Sequence, residues 1–200
     1  MEVKMPTLKK QHKILLKYGA NKFVFIRKLI SAIFEIIQYV WIVGPKKELY
    51  KSANNYLQKN KVDYIIATGD PFVLFFYAKK LSKKFNIPWI ADYRDPWSQD
   101  IALKNRYLTK NWFKFQEKRI LKSVFKIITV SEFLKSKISQ LIPNKEISLI
   151  TNGYDPTIIE EVALFPQNNT KLSIGYAGTI YNWHPIELFL KTINECIEAQ

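Results

Sequence analysis

The amino-acid sequence predicts an α/β fold: a doubly wound, Rossmann-like and mostly parallel sheet. Short apolar runs alternate with helix-length segments across residues 62–155, which is the β-α-β-α-β-α-β order of parallel strands joined by crossover helices. The runs are continuously apolar instead of alternating, as is typical of strands covered on both faces. Polar motifs follow the strands, and ligands of such sheets bind at the carboxyl ends of the strands. The sequence therefore predicts a ligand site at that edge.

Each element has a local signal. Apolar runs predict four strands, at residues 63–68, 88–92, 126–130 and 146–150. Helical spacing of apolar residues predicts three crossover helices, at residues 72–85, 110–123 and 131–142. Further elements are predicted on either side: helices at residues 22–43 and 46–60, then a strand at 171–176 and a helix at 185–199.

Two crossover helices carry start signals. Asp70 is predicted to be the N-cap of the first and Pro71 its first residue, because Asp accepts hydrogen bonds from free N–H groups and proline has none to satisfy. Ser131 is predicted to cap the third. Gly44 and Pro45 are predicted to end the helix over residues 22–43.

Four regions follow from these elements. They are a basic helical region, an α/β domain, a linker, and the first strand and helix of a second domain, at residues 1–61, 62–155, 156–170 and 171–200. One strand and one helix cannot cover their own apolar surface. We therefore expect the second domain to need more chain than residues 171–200 supply.

The net charge of +14 is unevenly distributed. Residues 1–61 hold 13 Lys and Arg against 3 acidic residues, a balance of +10, and the rest of the chain carries +4. A basic region predicts an anionic partner, which is membrane lipid, nucleic acid or a phosphorylated substrate. Codon bias toward lysine is the alternative explanation. The sequence contains no recognised nucleic-acid-binding motif, so no nucleic-acid partner is predicted.

Cysteine and histidine are scarce. The chain has one cysteine, Cys196, and two histidines, His12 and His184. A single cysteine excludes an internal disulfide, and the spacing of these residues predicts no structural zinc site. The composition fits a reducing, cytoplasmic setting.

Residues 29–44 form a mostly apolar run of ambiguous role. At 16 residues the run is shorter than the roughly 20 that a membrane-spanning helix needs, and it contains Glu35 and Gln38. Three interpretations stay open: a partly buried domain helix, a helix lying in a membrane interface beside basic residues, and a membrane span.

Four motifs occur in order along the chain. They are TGDP at residues 68–71, IADYRDPW at 90–97, ITVS at 128–131 with ITNGYD at 150–155, and IGYAGTIY at 174–181. Their order and spacing resemble bacterial glycosyltransferase family 4, of the GT-B type, over residues 46–200. The resemblance covers the family's N-terminal, acceptor-side domain and the opening of its nucleotide-sugar domain.

The resemblance implies transfer of a sugar from a nucleotide-diphosphate sugar to an acceptor, in cell-envelope polysaccharide or lipid-linked sugar synthesis. It implies no cofactor, because the nucleotide sugar is a substrate, and no metal, in keeping with the lack of an Asp-x-Asp motif in the sequence. The implied partners are the nucleotide-sugar donor, a glycan or lipid-linked acceptor and an anionic membrane surface. The implied location is the cytoplasm, peripheral on the inner face of the membrane.

The resemblance also assigns roles to residues. Asp92 and Asp95 are the candidate catalytic residues, as hydrogen-bond acceptors or bases. The candidate contacts to acceptor or sugar are Asp70, Arg94, Trp97, Ser131, Asn152 and Gly153. The candidate nucleotide-sugar-binding residues are Gly175, Gly178 and Thr179, since glycine lets the backbone approach a phosphate closely. Structural alternatives stay open: an Arg–Asp pair that fixes the loop after the second strand, and tight turns at the glycines.

The sequence departs from the family in two respects. Residues 1–19 contain no predicted strand and no Gly-rich loop. The Arg, the Lys and the Glu-x7-Glu motif of the family's donor site have no counterpart up to Gln200. The chain therefore looks incomplete, and the alternative function is that of a non-catalytic remnant or a membrane-associated binding protein.

Overall fold

A computed structural model describes residues 23–100, 107–157, 174–181 and 184–198. The chain divides into two compact units, Met1–Gly153 and Tyr154–Gln200. The predicted linker over residues 156–170 falls mostly outside the described residues.

Among the described residues, two helices precede the sheet: α1 over Val24–Ile37 and α2 over Lys47–Lys59. The prediction that the first helix runs to residue 43 is wrong, because the chain turns after Ile37, whose carbonyl oxygen accepts hydrogen bonds from both Val40 N and Trp41 N. This early turn puts Tyr39 into the hydrophobic core.

The first unit contains a four-stranded sheet in the order β1-β2-β3-β4, with all neighbours parallel. Its strands are β1 Ile65–Gly69, β2 Trp89–Tyr93, β3 Lys126–Thr129 and β4 Ile147–Leu149. Its crossover helices are α3 Val73–Phe85, α4 Tyr107–Leu121 and α5 Glu132–Leu141. The predicted α/β, Rossmann-like class with a parallel sheet is confirmed, and the element ends move by one to three residues.

The sheet is covered unevenly. Trp89, Tyr93 and Ile127 point to one face and are fully buried, whereas Ile66 on the other face is 64% exposed. Strands that follow one another in one direction through right-handed crossovers place their helices on the same face. Within the described residues, the second face is exposed at Ile66 of β1, and no reversal of strand order occurs.

The start of α3 differs from the prediction. The helix begins at Val73 with Phe72 as its N-cap residue and without a side-chain cap, so Asp70 does not cap it. Phe72 is buried and its ring stacks on that of Trp97, with centroids 5.0 Å apart. Packing of this ring, and not a polar cap, sets where the helix begins. The ring also lies where a side chain on Gly69 would stand, since a Cβ there would meet it at 2.4 Å.

The cap of α5 is as predicted. Ser131 has an extended backbone and its side chain accepts a hydrogen bond from Leu134 N at 3.2 Å. This satisfies one of the free N–H groups in the first turn.

The described residues of the second unit include a 13-residue helix, α6, over Ile186–Glu198. The predicted strand over residues 171–176 lies partly outside the described residues, and residues 174–176 are not in a strand. A strand needs a neighbour for its backbone hydrogen bonds, and none pairs with residues 174–181 among those described. In the parts of the chain that the structure describes, no helix combines the length and apolar character needed to cross a bilayer.

Candidate functional site

Polar side chains meet at the carboxyl ends of the strands, where the sequence predicts a site. Thr68 and Asp92 are register partners near the ends of β1 and β2, and side chains at paired positions of a parallel sheet point to the same face. Arg94 opens the loop after β2, and Asn152 follows β4. We call these four residues the strand-end cluster.

Asp92 is the centre of the strand-end cluster. Its Oδ2 atom accepts hydrogen bonds from Arg94 Nε at 3.0 Å and from Thr68 Oγ1 at 3.1 Å. The guanidinium group continues to Asn152, whose Oδ1 atom accepts from Arg94 Nη1 at 2.5 Å. Arg94 therefore connects the end of β2 to the segment after β4, across 58 residues of sequence.

The second oxygen of Asp92 lacks a partner. The side chain is 10% exposed, and its Oδ1 atom is buried and accepts no hydrogen bond in the described part of the chain. A buried acceptor without a donor costs about 1–3 kcal/mol. The described residues thus leave this acceptor without a donor.

The loop after β2 is held by a carboxylate that the sequence analysis missed. Glu117 on α4 is fully buried. It accepts hydrogen bonds from Tyr93 Oη at 2.8 Å, Ser98 N at 3.2 Å and Gln99 Nε2 at 3.1 Å. Burial raises the pKa of Glu117, and these hydrogen bonds oppose the rise. A sequence signal did exist, because Glu117 lies four residues after Phe113 and three before Ile120, on the apolar side of the helix.

Trp97 has a packing role in this loop. Its indole is buried between the rings of Phe72 and Tyr39, with centroids at 5.0 Å and 5.2 Å. The predicted contact of Trp97 with a sugar would need an accessible ring face, which this arrangement does not offer. Asp70 and Asp95, also predicted as site residues, are both exposed at the same edge of the sheet.

Two other predicted residues lie after strands of the first unit. Ser131 uses its hydroxyl to cap α5, in agreement with the structural interpretation of this residue. Gly153 is exposed, and a Cβ there would meet nothing within 4 Å. The structure thus brings the candidate catalytic residue Asp92 together with two of the candidate contacts, Arg94 and Asn152, and adds Thr68.

The predicted nucleotide-sugar residues belong to the second unit. Gly178 has a φ of 152°, and a Cβ on it would lie 3.2 Å from Tyr176 Oη. The same hydroxyl donates a hydrogen bond to the carbonyl oxygen of Thr179 at 3.1 Å. Gly178 therefore serves a tight turn, whereas a Cβ on Gly175 would meet nothing within 4 Å. The roles of these residues toward a nucleotide sugar stay predictions.

Two clefts open at the amino ends of the strands. One of about 490 Å³ is lined by residues that include Pro88 and Ser123, and one of about 440 Å³ by residues that include Val62 and Ile65. Parallel α/β sheets bind their ligands at the carboxyl ends, so we place the candidate site at the strand-end cluster and not in either cleft. Among the described residues, no three His, Cys, Asp or Glu side chains come close enough to share a metal ion.

A parallel α/β sheet joined by crossover helices defines a Rossmann-like domain. The family model of Glycosyltransferase Family 4 matches residues 38–158, more than half of the chain. The chain therefore belongs to glycosyltransferase family 4, and the family drawn from the motifs is confirmed for the matched residues. The resemblance of residues 171–200 to a nucleotide-sugar domain stays a prediction. The matched segment includes all four strands and the whole strand-end cluster. No curated protein and no solved structure matches the chain.

Proposed function

We propose that the protein transfers a sugar from a nucleotide-diphosphate donor to a hydroxyl of a glycan or lipid-linked acceptor, in cell-envelope polysaccharide or lipid-linked sugar synthesis. The family match supports a glycosyltransferase-like domain. The observation that carries the proposal is the buried Asp92 Oδ1 atom without a partner, at the ligand-binding edge of the sheet.

Asp92 is proposed to bind a substrate hydroxyl. A carboxylate oxygen accepts a hydrogen bond from a hydroxyl, and in a transfer reaction it can take that proton as the hydroxyl oxygen bonds to the anomeric carbon. Arg94 and Thr68 occupy Oδ2 and so leave Oδ1 for the substrate. Asp95, exposed on the same loop, is the second candidate base.

The donor is proposed to bind through the second unit. The departing diphosphate carries negative charge, which backbone N–H groups and a helix N-terminus stabilise. Gly175, Gly178 and Thr179 precede α6 in the sequence and would supply such N–H groups. By resemblance to the GT-B type, we propose that this chemistry uses no metal and no cofactor.

Calorimetry on the full chain tests the proposed binding. We expect heat on titration with one member of a panel of uridine, guanosine and thymidine diphosphate sugars. Asp92→Asn should leave donor binding unchanged, because the donor is proposed to bind through the second unit. It should weaken binding of a glycan acceptor, titrated in the same way, by about tenfold or more, because hydrogen bonds to charged groups contribute about 1.5–3 kcal/mol. The matched control is Asp63→Asn, which makes the same change at an exposed position near the amino end of β1.

The outcome also separates this function from its alternative. Absence of heat with every donor, for a folded protein, would favour a non-catalytic remnant or a membrane-associated binding protein. Equal binding of the acceptor by wild type and Asp92→Asn would remove Asp92 from the site while leaving donor binding intact.

The reaction is proposed to take place at the inner face of the cytoplasmic membrane. A lipid-linked acceptor resides there, and residues 1–61 carry a charge of +10, which favours anionic lipid.

A further inference from the structure

One side of α1 exposes a row of large apolar side chains, which we call the α1 outer stripe. Its members are exposed and recur every three or four residues, so that they lie on one side of the helix; they are Phe25, Leu29, Ile33, Ile36 and, just after the helix, Val40. Phe25 is 78% exposed. Soluble proteins rarely expose contiguous apolar surface without a partner for it.

The opposite side of α1 is less exposed than the stripe. Ile30, Phe34 and Ile37 are half-buried. Beyond the helix end, Tyr39 is held in the core by stacking on Trp97 and by a hydrogen bond that its carbonyl oxygen accepts from Arg119 Nη2 at 2.7 Å. The helix is thus attached through its C-terminal end, and its outer stripe stays exposed.

The surroundings of the stripe are those of a lipid interface. Lys28 is exposed on the flank of the helix, and Trp41, 62% exposed, follows it. Lys46 and Lys47 lie at the start of α2, five and six residues after Trp41 in the chain. Tryptophan and lysine are favoured at membrane interfaces, where the indole and ammonium groups reach the headgroups while apolar side chains enter the acyl boundary.

We propose that the α1 outer stripe docks on an anionic lipid bilayer, with α1 lying in the plane of the interface. Residues 1–61 hold 13 basic and 3 acidic residues, and each basic side chain near an anionic surface adds about 1 kcal/mol of attraction. The same charge opposes pairing of this region with a second copy, because two regions of +10 would face each other. This docking surface rests on the membrane location given in the proposed function. Lipid binding needs no sugar transfer, so its test can fail while the transfer reaction is observed, and the reverse.

Vesicle flotation with the full chain tests the docking surface. The probes are vesicles of phosphatidylcholine alone and of phosphatidylcholine mixed equally with phosphatidylglycerol. Wild type should float with the mixed vesicles, and Phe25→Glu should reduce the bound fraction about tenfold, because a carboxylate replaces the most exposed apolar group of the stripe. The control is Phe133→Glu, the same change at a residue of α5 that is 68% exposed, and it should bind like wild type.

A second variant tests whether the loss of vesicle binding is a property of the whole α1 outer stripe or of Phe25 alone. Ile33→Glu, two helical turns further along the stripe, should lose binding to the same degree, while circular dichroism shows both variants folded. Failure of wild type to float with mixed vesicles, or flotation of Phe25→Glu equal to that of wild type, would overturn the proposal. So would a lipid-free dimer, seen by light scattering, that Phe25→Glu dissociates, because the stripe would then bind a second copy.

Discussion

Replacement of Glu117 by glutamine should destabilise the protein by about 1–3 kcal/mol at neutral pH. The carboxylate accepts three hydrogen bonds, two at Oε1 from Tyr93 and Gln99 and one at Oε2 from Ser98 N. A glutamine offers a single acceptor oxygen. If its amide nitrogen takes the Oε2 position, it opposes the fixed N–H of Ser98.

The other orientation of the amide is also penalised. With its nitrogen at the Oε1 position, glutamine can donate to the Tyr93 hydroxyl, which rotates, but it then faces the Gln99 amide nitrogen. Gln99 cannot turn over without a further loss, because its Oε1 accepts a hydrogen bond from Trp97 N at 3.1 Å. Either orientation leaves one buried donor without an acceptor. Glu117→Ala removes every acceptor and leaves a cavity, so it should cost about 3–5 kcal/mol.

Urea unfolding followed by circular dichroism measures these changes. The matched control is Glu132→Gln, the same change at an exposed residue at the start of α5, which should stay within about 0.5 kcal/mol of wild type. An unfolding free energy of Glu117→Gln equal to that of the control would refute the role given to this network.

The pH dependence supplies a second test with a definite sign. Because burial raises the pKa of Glu117 above its ordinary value of 4.5, the folded protein binds this proton more tightly than the unfolded chain does. Proton binding at Glu117 therefore contributes to the free energy of unfolding. This contribution is fully present at pH values below the ordinary pKa and is lost as the pH rises through the raised pKa. The advantage of wild type over Glu117→Gln should therefore shrink on going from about pH 4.5 to neutral. An advantage that grows with pH would contradict the assignment.

Substitutions at three further positions test the packing and the helix cap. Gly69→Ala should destabilise by about 1–3 kcal/mol, because its Cβ would meet the buried Phe72 ring at 2.4 Å; thermal unfolding equal to wild type would contradict this contact. Ser131→Ala should cost about 1 kcal/mol in urea unfolding, and Ser131→Asp, which keeps a capping oxygen, should cost less; the reverse order would argue against the cap. Trp97→Ala should cost about 3–5 kcal/mol in unfolding free energy, because its indole is buried, and a loss below about 1 kcal/mol would show a surface role instead.

The order of elements could be predicted because its signals are local. Apolar runs between turn residues indicate strands, and Ser131 before a helical pattern indicates a cap, whose hydrogen bond spans only three residues. Ligands of parallel sheets bind at the carboxyl ends of the strands, and Asp92, Arg94 and Asn152 all follow strands in the sequence. Their position at one edge of the sheet could therefore be predicted without a structure. Each of these inferences depends on neighbours in sequence or on a general property of parallel sheets.

What could not be predicted depends on contacts between distant residues. Asp70 did not cap α3, because the burial of Phe72 against Trp97 sets the helix start. The first helix ended early, because Tyr39 enters the core. Glu117 was missed, because its partners lie 18 to 24 residues away.

The position of Arg94 against Asn152 illustrates the same limit within the site. The motifs place both residues after strands, but the hydrogen bond between them crosses 58 residues. The loop after β2 can reach the segment after β4 because of the order of the strands in the sheet. Neither motif specifies that order.

Transfer of a radiolabelled sugar from a nucleotide donor to a lipid or glycan fraction, by wild type and by Asp92→Asn, tests the central claim most directly. We predict labelled product with wild type and a loss of about tenfold or more with Asp92→Asn, since Asp92 Oδ1 is the buried acceptor left open for a substrate hydroxyl. Equal product from the two proteins, or no product from wild type with any donor, would contradict it.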